Sequence, residues 1–300
     1  MPFMLIRDSI TGMKTDAIVN AANMELAMGG GVCGAIFSAA GPEKLQRACW
    51  KVGPISTGEA AITPGFRLHA KYIIHAVGPV YDSRRPEQSE KLLRSAYLNS
   101  LELALQNDCR SIAFPLISSG IYGYPKRKAL NVATAAFRDF LSAHEMEIWL
   151  TIFDPSVFPA DRELWEKIQN FAEAGRNLSA EAAEHKPSQG FSAAFQHFVN
   201  LHGKSREEVR RKANMSPGEF QKMQAAEKPD KAHVLAAAIG LELTLDETEA
   251  LLESAGYALS RINKTDAAVE YVIRQGEYDI FELNEILFSL GESLLGPELP

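Results

Sequence analysis

Apolar and polar positions change their period once along the chain. Up to about residue 170, short runs of β-forming residues alternate with longer stretches in which apolar positions recur every three to four residues. This alternation predicts an α/β layered domain. Strands are expected over residues 3–7, 17–20, 72–76, 111–114 and 148–153, and helices near 34–40, 43–52, 87–106, 125–143 and 163–172. Ligand loops of such a sheet lie at the carboxyl ends of its strands.

Residues 173–190 are small and polar, with no sustained apolar face, and read as a linker between a first domain over 1–172 and a second over 191–300. Beyond the linker every strong pattern is helical, over 191–201, 206–214, 217–223, 231–240, 246–255, 264–275 and 280–290. Start signals are plain there. Ser205 with Glu208 has the spacing of a capping box, and Ser216-Pro217-Gly218-Glu219 places proline at the first helical position.

A length of 300 residues fits two compact units, and 46% hydrophobic with 23% charged residues is ordinary for a globular protein. The opening residues offer neither a basic leader nor a long apolar run, and no stretch approaches the roughly 18–20 apolar residues of a membrane span. The expectation is a cytoplasmic protein that does not engage a membrane. Cys33, Cys49 and Cys109 are odd in number and far apart, which suits neither a disulfide framework nor a zinc site, so free thiols and no metal or cofactor are expected. Charge is uneven. Residues 1–189 carry 20 basic and 20 acidic side chains, whereas 190–300 carry 11 against 18, so the net −7 belongs to the C-terminal third. An acidic surface repels a nucleic-acid backbone unless its cations gather on one face.

Candidate chemistry concentrates in two glycine-rich turns. Residues 18–41, IVNAANMELAMGGGVCGAIFSAAG, set a strand, a polar turn, Gly29-Gly30-Gly31 and a helix. Glycines let a ligand approach the backbone, and amides opening a helix favour an anion such as phosphate. Residues 114–125, FPLISSGIYGYP, form a second strand-to-helix turn with Ser118, Ser119, Gly120 and Gly123 as small donors and Tyr122 as an aromatic wall. Two such loops at one sheet edge suit a diphosphate, and two unrelated packing turns are the plainer alternative. Asn20 reads as a loop organiser through backbone capping, and His75, inside the apolar run YIIHAV, reads as a core histidine rather than a catalyst.

These blocks resemble the macrodomain family: Asp8 in a GDIT-like position, IVNAAN, GGGV followed by GAI and AAGP, HAVGP from His75, and FPLISSGIYGYP, all in family order and spacing. The likeness covers residues 1 to about 155. It implies a three-layer α/β fold with a mixed central sheet and a cleft for ADP-ribose or an ADP-ribosylated protein. By family motif Asp8 would bond the adenine amino group, Ile10 would contribute backbone contacts nearby and Phe153 would stack on adenine. Gly29, Gly30, Gly31 and Val32 would wrap the diphosphate together with Ser118, Ser119, Gly120, Ile121, Tyr122 and Gly123, while Asn23 and Tyr122 would face the terminal ribose. The hydrolytic MacroD-like branch carries Asp where this chain has Cys33, and a neutral thiol is a poor general base. Three outcomes follow from the resemblance. The domain hydrolyses ADP-ribose esters or O-acetyl-ADP-ribose with the ligand's own phosphate orienting water and Asn23 holding the ribose; or it only reads ADP-ribose; or the thiol itself acts.

Residues 191 to about 259 resemble a small Cro/repressor-like helix-turn-helix unit, through EEVRRKANMSPGEF and the later AAIGLELTLDETEALLESAGYAL. That implies a recognition helix after Ser216 offering Gln221, Lys222 and Gln224 to DNA, with Arg206, Arg210, Arg211, Lys212 and Lys222 as a basic patch. Glu219 and the acidic balance of the domain point the other way, to protein interaction or a structural appendage.

Overall fold

The computed structural model describes residues 3–152, 168, 190–260 and 263–296. They fall into two compact units, one holding residues 3–152 and the other the remainder.

The first unit is built on a six-stranded sheet of β1 (Phe3–Ile6), β2 (Ala17–Ala21), β3 (Ala60–Pro64), β4 (Tyr72–Ala76), β5 (Ser111–Pro115) and β6 (Glu147–Thr151). Its order is β1-β6-β5-β2-β4-β3, all parallel except β3, which runs antiparallel to β4. Helices α1 (Gly31–Ala40), α2 (Pro42–Val52), α3 (Pro86–Gln106) and α4 (Lys126–Ala143) accompany it. Parallel strands buried on both faces need continuous apolar runs, which β4 (YIIHA) and β5 (SIAFP) supply. Met4, Ile18, Ile73, Ala113 and Trp149 pack with Ile36, Phe37 and Leu45 of α1 and α2. Strand neighbours with the opposite parity turn the other way: Phe3 and Phe114 meet Tyr97 of α3 and Phe137 of α4, with ring centroids 4.9 to 5.5 Å apart.

The mixed sheet of the expected macrodomain is therefore present, and its antiparallel member, β3, is the strand that the periodicity did not single out. A 3₁₀ turn, Ile10–Gly12, links β1 to β2.

The second unit is all-helical: α5 (Phe191–Leu201), α6 (Arg206–Lys212), α7 (Pro217–Ala225), α8 (Lys231–Leu241), α9 (Leu245–Ser254), α10 (Lys264–Gln275) and α11 (Ile280–Leu290). Helix α8 is buried along its length from His233 to Leu241 and forms the middle of the core. Caps set the helix starts. Ser216 and Glu219 form a capping box with Pro217 at the first position, and Thr244 with Glu247 forms another, starting its helix one residue before the expected residue 246. Ser205 accepts from the Glu208 amide as expected, but the Glu208 carboxylate does not return to complete the box and instead faces Lys212 at 3.3 Å.

Of the helix expected over 163–172, only Ile168 lies within the described residues. It packs against Ala267 in the helical unit, so burial places this residue with the second unit rather than closing the first. The linker over 173–189 lies outside the described residues.

Candidate ligand-binding site

Strand β2 ends at Ala21 and the first glycine-rich loop begins. Asn23 clamps it: Oδ1 accepts from the Ala27 amide at 2.9 Å and Nδ2 donates to the Ala27 carbonyl at 3.0 Å. Gln46 of α2 adds a second clamp, accepting from the Met28 amide at 3.0 Å and donating to the Leu26 carbonyl at 3.2 Å. The loop then delivers Gly31, at φ +59°, to the start of α1. Helix α1 has no side-chain cap: its N-cap is Gly30, and the first backbone bond into the helix is from Gly34 to the Gly30 carbonyl. The amides of Gly31, Val32 and Cys33 thus have no acceptor among the described residues, at the positive end of a helix dipole. Gly34 closes the motif, because a Cβ there would stand 2.7 Å from the Gly29 carbonyl oxygen.

The second loop leaves β5 at Pro115. Its entry is fixed from α3, where the buried Tyr97 hydroxyl accepts from the Ile117 amide at 2.9 Å. Ser118 sits at φ +65°, unusual for a side-chain-bearing residue, with its carbonyl held by the Tyr124 amide at 3.0 Å. Its hydroxyl is buried and has no partner among the described residues. Gly123 bonds back to the Gly120 carbonyl, and the Tyr81 amide donates to the Tyr122 carbonyl, tying the segment after β4 to this loop. Gly78 makes the approach possible: a Cβ there would lie 2.2 Å from Ser118 Oγ and 2.5 Å from Ile117 Cγ2.

Between the two loops is a cavity of about 530 Å³ at the carboxyl ends of β2 and β5. It is lined by Asn23, Gly29, Gly30, Gly31, Val32 and Cys33 on one side and by Ser118, Ser119, Gly120, Ile121 and Tyr122 on the other. Ile121 is 87% exposed and stands at the rim. Ala21, Ala22, Gly78 and Pro115 to Ile117 also line it and were not singled out in the sequence, although Gly78 lies in the HAVGP block and the others end or directly follow β2 and β5.

Four expected site residues are not among those lining the cavity. Asp8 is exposed, with its carboxylate accepting from the Ser9 amide at 2.6 Å. Ile10 is buried in the core by its side chain. Gly123 shapes the loop from behind, and Phe153 lies outside the described residues. Asp8 and Ile10 follow β1, which the sheet order separates from β2 by β6 and β5.

Cys33 is nearly buried. Its sulfur accepts from the Gly29 amide at 3.4 Å and from Asn20 Nδ2 at 3.7 Å, and its thiol points to the Ala27 carbonyl at 3.8 Å. Asn20 does not cap loop backbone as expected. Its Nδ2 also donates to His75 Nδ1 at 3.1 Å, which leaves His75 Nε2–H to donate to Thr63 Oγ1 at 2.9 Å, with Cys49 Sγ 3.6 Å away. Burial pushes His75 down to about 4 and the Cys49 thiol up to about 11. His75 is thus a neutral, partnered core residue, and among the described residues no base faces the Cys33 thiol.

Among the described residues, no three His, Cys, Asp or Glu side chains stand together as metal ligands, and no helix is long and apolar enough to cross a membrane.

A parallel sheet with one antiparallel edge, whose glycine-rich loops enclose an uncapped helix start, defines a class of anion-cradling α/β domain. Comparison with known proteins narrows the class. The Macro domain family model matches residues 19–133. A Macro domain-containing protein of Chlorobaculum tepidum is 52% identical over 148 residues, 49% of this chain and 84% of that one. The O-acetyl-ADP-ribose deacetylase of Escherichia fergusonii is 46% identical over 157 residues, 50% of this chain and 87% of that one. The ADP-ribose glycohydrolase MACROD2 of Xenopus laevis is 47% identical over 147 residues, 49% of this chain but 35% of that one. The chain belongs to the Macro domain family.

Proposed function

We propose that the first unit binds ADP-ribose in the 530 Å³ cavity and hydrolyses ADP-ribosyl esters, on protein carboxylates or as O-acetyl-ADP-ribose. The observation that carries this reading is the pairing of unfilled donors across the cavity: the first-turn amides of α1 on one side and the partnerless Ser118 hydroxyl on the other. Both suit phosphate oxygens, and the names of the relatives in Escherichia fergusonii and Xenopus laevis suggest the ligand. Asn23 keeps a second amide hydrogen and a second lone pair beyond its bonds to Ala27, enough to hold the terminal ribose. Adenine would lie toward the carboxyl ends of β6 and β1, near Asp8 and Ile10.

Cys33 acts as a loop anchor in this reading rather than as a base, since its sulfur already engages Gly29 and Asn20. The attacking water is then oriented by the ligand's own phosphate. Loss of the Asp-type base also favours the second reading, in which the domain holds ADP-ribose without cleaving it. Calorimetric titration with ADP-ribose, followed by mass-spectrometric turnover of an ester-linked ADP-ribosyl peptide and of O-acetyl-ADP-ribose, separates the two. Hydrolysis requires turnover that falls about 10²-fold in Asn23→Ala; binding with no turnover makes the domain a reader; absence of binding rejects both.

The helical unit serves as a protein-interaction or structural module rather than a DNA reader. Its helix-turn-helix-like pair, α6 and α7, carries cations that are already engaged. Arg210 is buried and bonds Glu207 at 2.6 Å and the Met215 carbonyl at 2.9 Å; Arg211 bonds Glu207 at 2.8 Å. Lys212 lies between Glu208 and Glu242, and Arg206 bonds Gln196. Those arginines hold the Glu207 carboxyl down at about 2, so the cluster stays neutralised at working pH. Gel-shift assays of the full chain on duplex DNA, with no retardation expected at physiological salt, test this assignment.

A further inference from the structure

Helix α2 exposes Lys44, Arg47 and Lys51 at spacings of three and four residues, which sets them on one stripe. None of the three makes an ion pair or a side-chain hydrogen bond among the described residues. Some other exposed cations of the same unit find carboxylates, as in Lys71 with Asp16 at 2.8 Å and Arg94 with Asp139 at 2.6 Å. The stripe borders a hollow of about 450 Å³ with the half-exposed Phe66 at its edge. Arg47 is shared with a second hollow of about 440 Å³, whose apolar wall is Met28 and Trp50. Trp50 is 68% exposed, an unusual position for the largest apolar side chain.

The second hollow adjoins the loop that lines the ligand cavity. Met28 is held by Gln46 of α2 through its amide, and the next residue, Gly29, lines the cavity. The two hollows, joined at Arg47, form a track beside the glycine loop of the cavity that crosses Met28 and Trp50 and reaches three cations with no ion pair among the described residues.

We infer that this track is a docking surface for an acidic polypeptide segment flanking an ADP-ribosylated carboxylate, so that the preferred substrate is an ADP-ribosyl ester within a Glu- or Asp-rich stretch of protein. The inference rests on the ADP-ribose reading of the cavity. Charge complementarity selects the occupant, and tryptophan and arginine are both among the side chains enriched at the anchoring points of protein interfaces. A nucleic acid fits less well. Its repeating phosphates need an extended basic field, whereas residues 1–189 are charge-balanced and the cations here form one short stripe.

The test uses the full chain and the variant Lys44→Glu/Arg47→Glu/Lys51→Glu. Two peptides carry the same ester-linked ADP-ribosyl glutamate, one flanked by glutamates and one by serine and glycine, with O-acetyl-ADP-ribose as a substrate that has no polypeptide. In the variant, KM for the acidic peptide should rise about tenfold at unchanged kcat, as the loss of three exposed ion pairs predicts. KM for O-acetyl-ADP-ribose should not change. In parallel, fluorescence anisotropy of a labelled, unmodified Glu-rich peptide should show binding that weakens with salt and disappears in the variant.

Equal treatment of the two ADP-ribosyl peptides by the wild-type chain overturns the inference. So does a labelled single-stranded oligonucleotide that binds the stripe and is not displaced by the acidic peptide. If neither ADP-ribose binding nor turnover is found, the cavity reading has failed, and the anisotropy arm, which does not use the cavity, still decides whether the stripe takes acidic polypeptide.

Discussion

Replacing Gly78 with alanine perturbs the cavity from beneath. Side-chain Cβ atoms essentially never approach other heavy atoms within 3.0 Å, so Ser118 Oγ and Ile117 Cγ2, at 2.2 and 2.5 Å, must recede by about 0.8 and 0.5 Å. Neither can yield freely. Ile117 is buried with its amide bonded to Tyr97, and Ser118 is held at positive φ by the Tyr124 amide. Overpacking of this kind costs about 2 kcal/mol, which lowers the Tm of a unit of this size by about 4–8 °C. Moving the second loop by most of an ångström should also weaken ADP-ribose binding about tenfold or more, since positioning errors of this size are amplified in preorganised sites. Differential scanning calorimetry and isothermal titration of the same preparation read both quantities. Adding Ser118→Gly removes the closer clash and should recover part of the stability but not the affinity, because the hydroxyl is lost with it. An alanine variant with unchanged Tm and an affinity within twofold of the parent would refute the claim that this close approach sets the shape of the cavity.

Two further outcomes follow from buried partners. Tyr97→Phe leaves the Ile117 amide buried without an acceptor, so stability should fall by about 1–3 kcal/mol, with faster amide exchange confined to residues 116–119 as the check. His75 is held near 4 against an unfolded value near 6.5, so the unfolded chain takes up the proton first. Stability is full above about pH 6.5 and is lost as pH falls toward 4; about 2 kcal/mol should disappear between pH 7 and 5 in urea midpoints. His75→Gln should flatten that dependence, and a parent profile that is already flat over this interval contradicts the assignment.

What the residues reveal in advance depends on how locally each feature is encoded. Helices α5 to α11 announce themselves through apolar spacing and caps such as Ser216 and Glu219, both of which act within one turn. Strands β2, β4 and β5 are legible because burial on both faces leaves no polar alternation to confuse with a loop. Strand β3 is not, because AAITP is half-buried, short and closed by a proline, and only its pairing with β4 makes it a strand.

The site divides in the same way. Gly29 to Cys33 and Ser118 to Tyr122 stand out as glycine-rich turns after strands. The contributions of Tyr97 and Gly78 are invisible beforehand, because each depends on a distance to a residue 20 or 40 positions away. Asn20 and Asn23 show the limit most clearly. Both sit in one short motif, yet the fold turns Asn20 inward to His75 and assigns the loop clamp to Asn23.

The bare start of α1 sets a boundary on how far this domain can be made more stable. Serine or aspartate in place of Gly30 would satisfy a first-turn amide and add roughly a few tenths of a kcal/mol to the helix. The same oxygen would occupy the electropositive spot that an incoming anion needs, and an aspartate would also repel it. Selection for thermal robustness and selection for ligand affinity therefore pull in opposite directions at residue 30, and its glycine marks which of the two this helix serves.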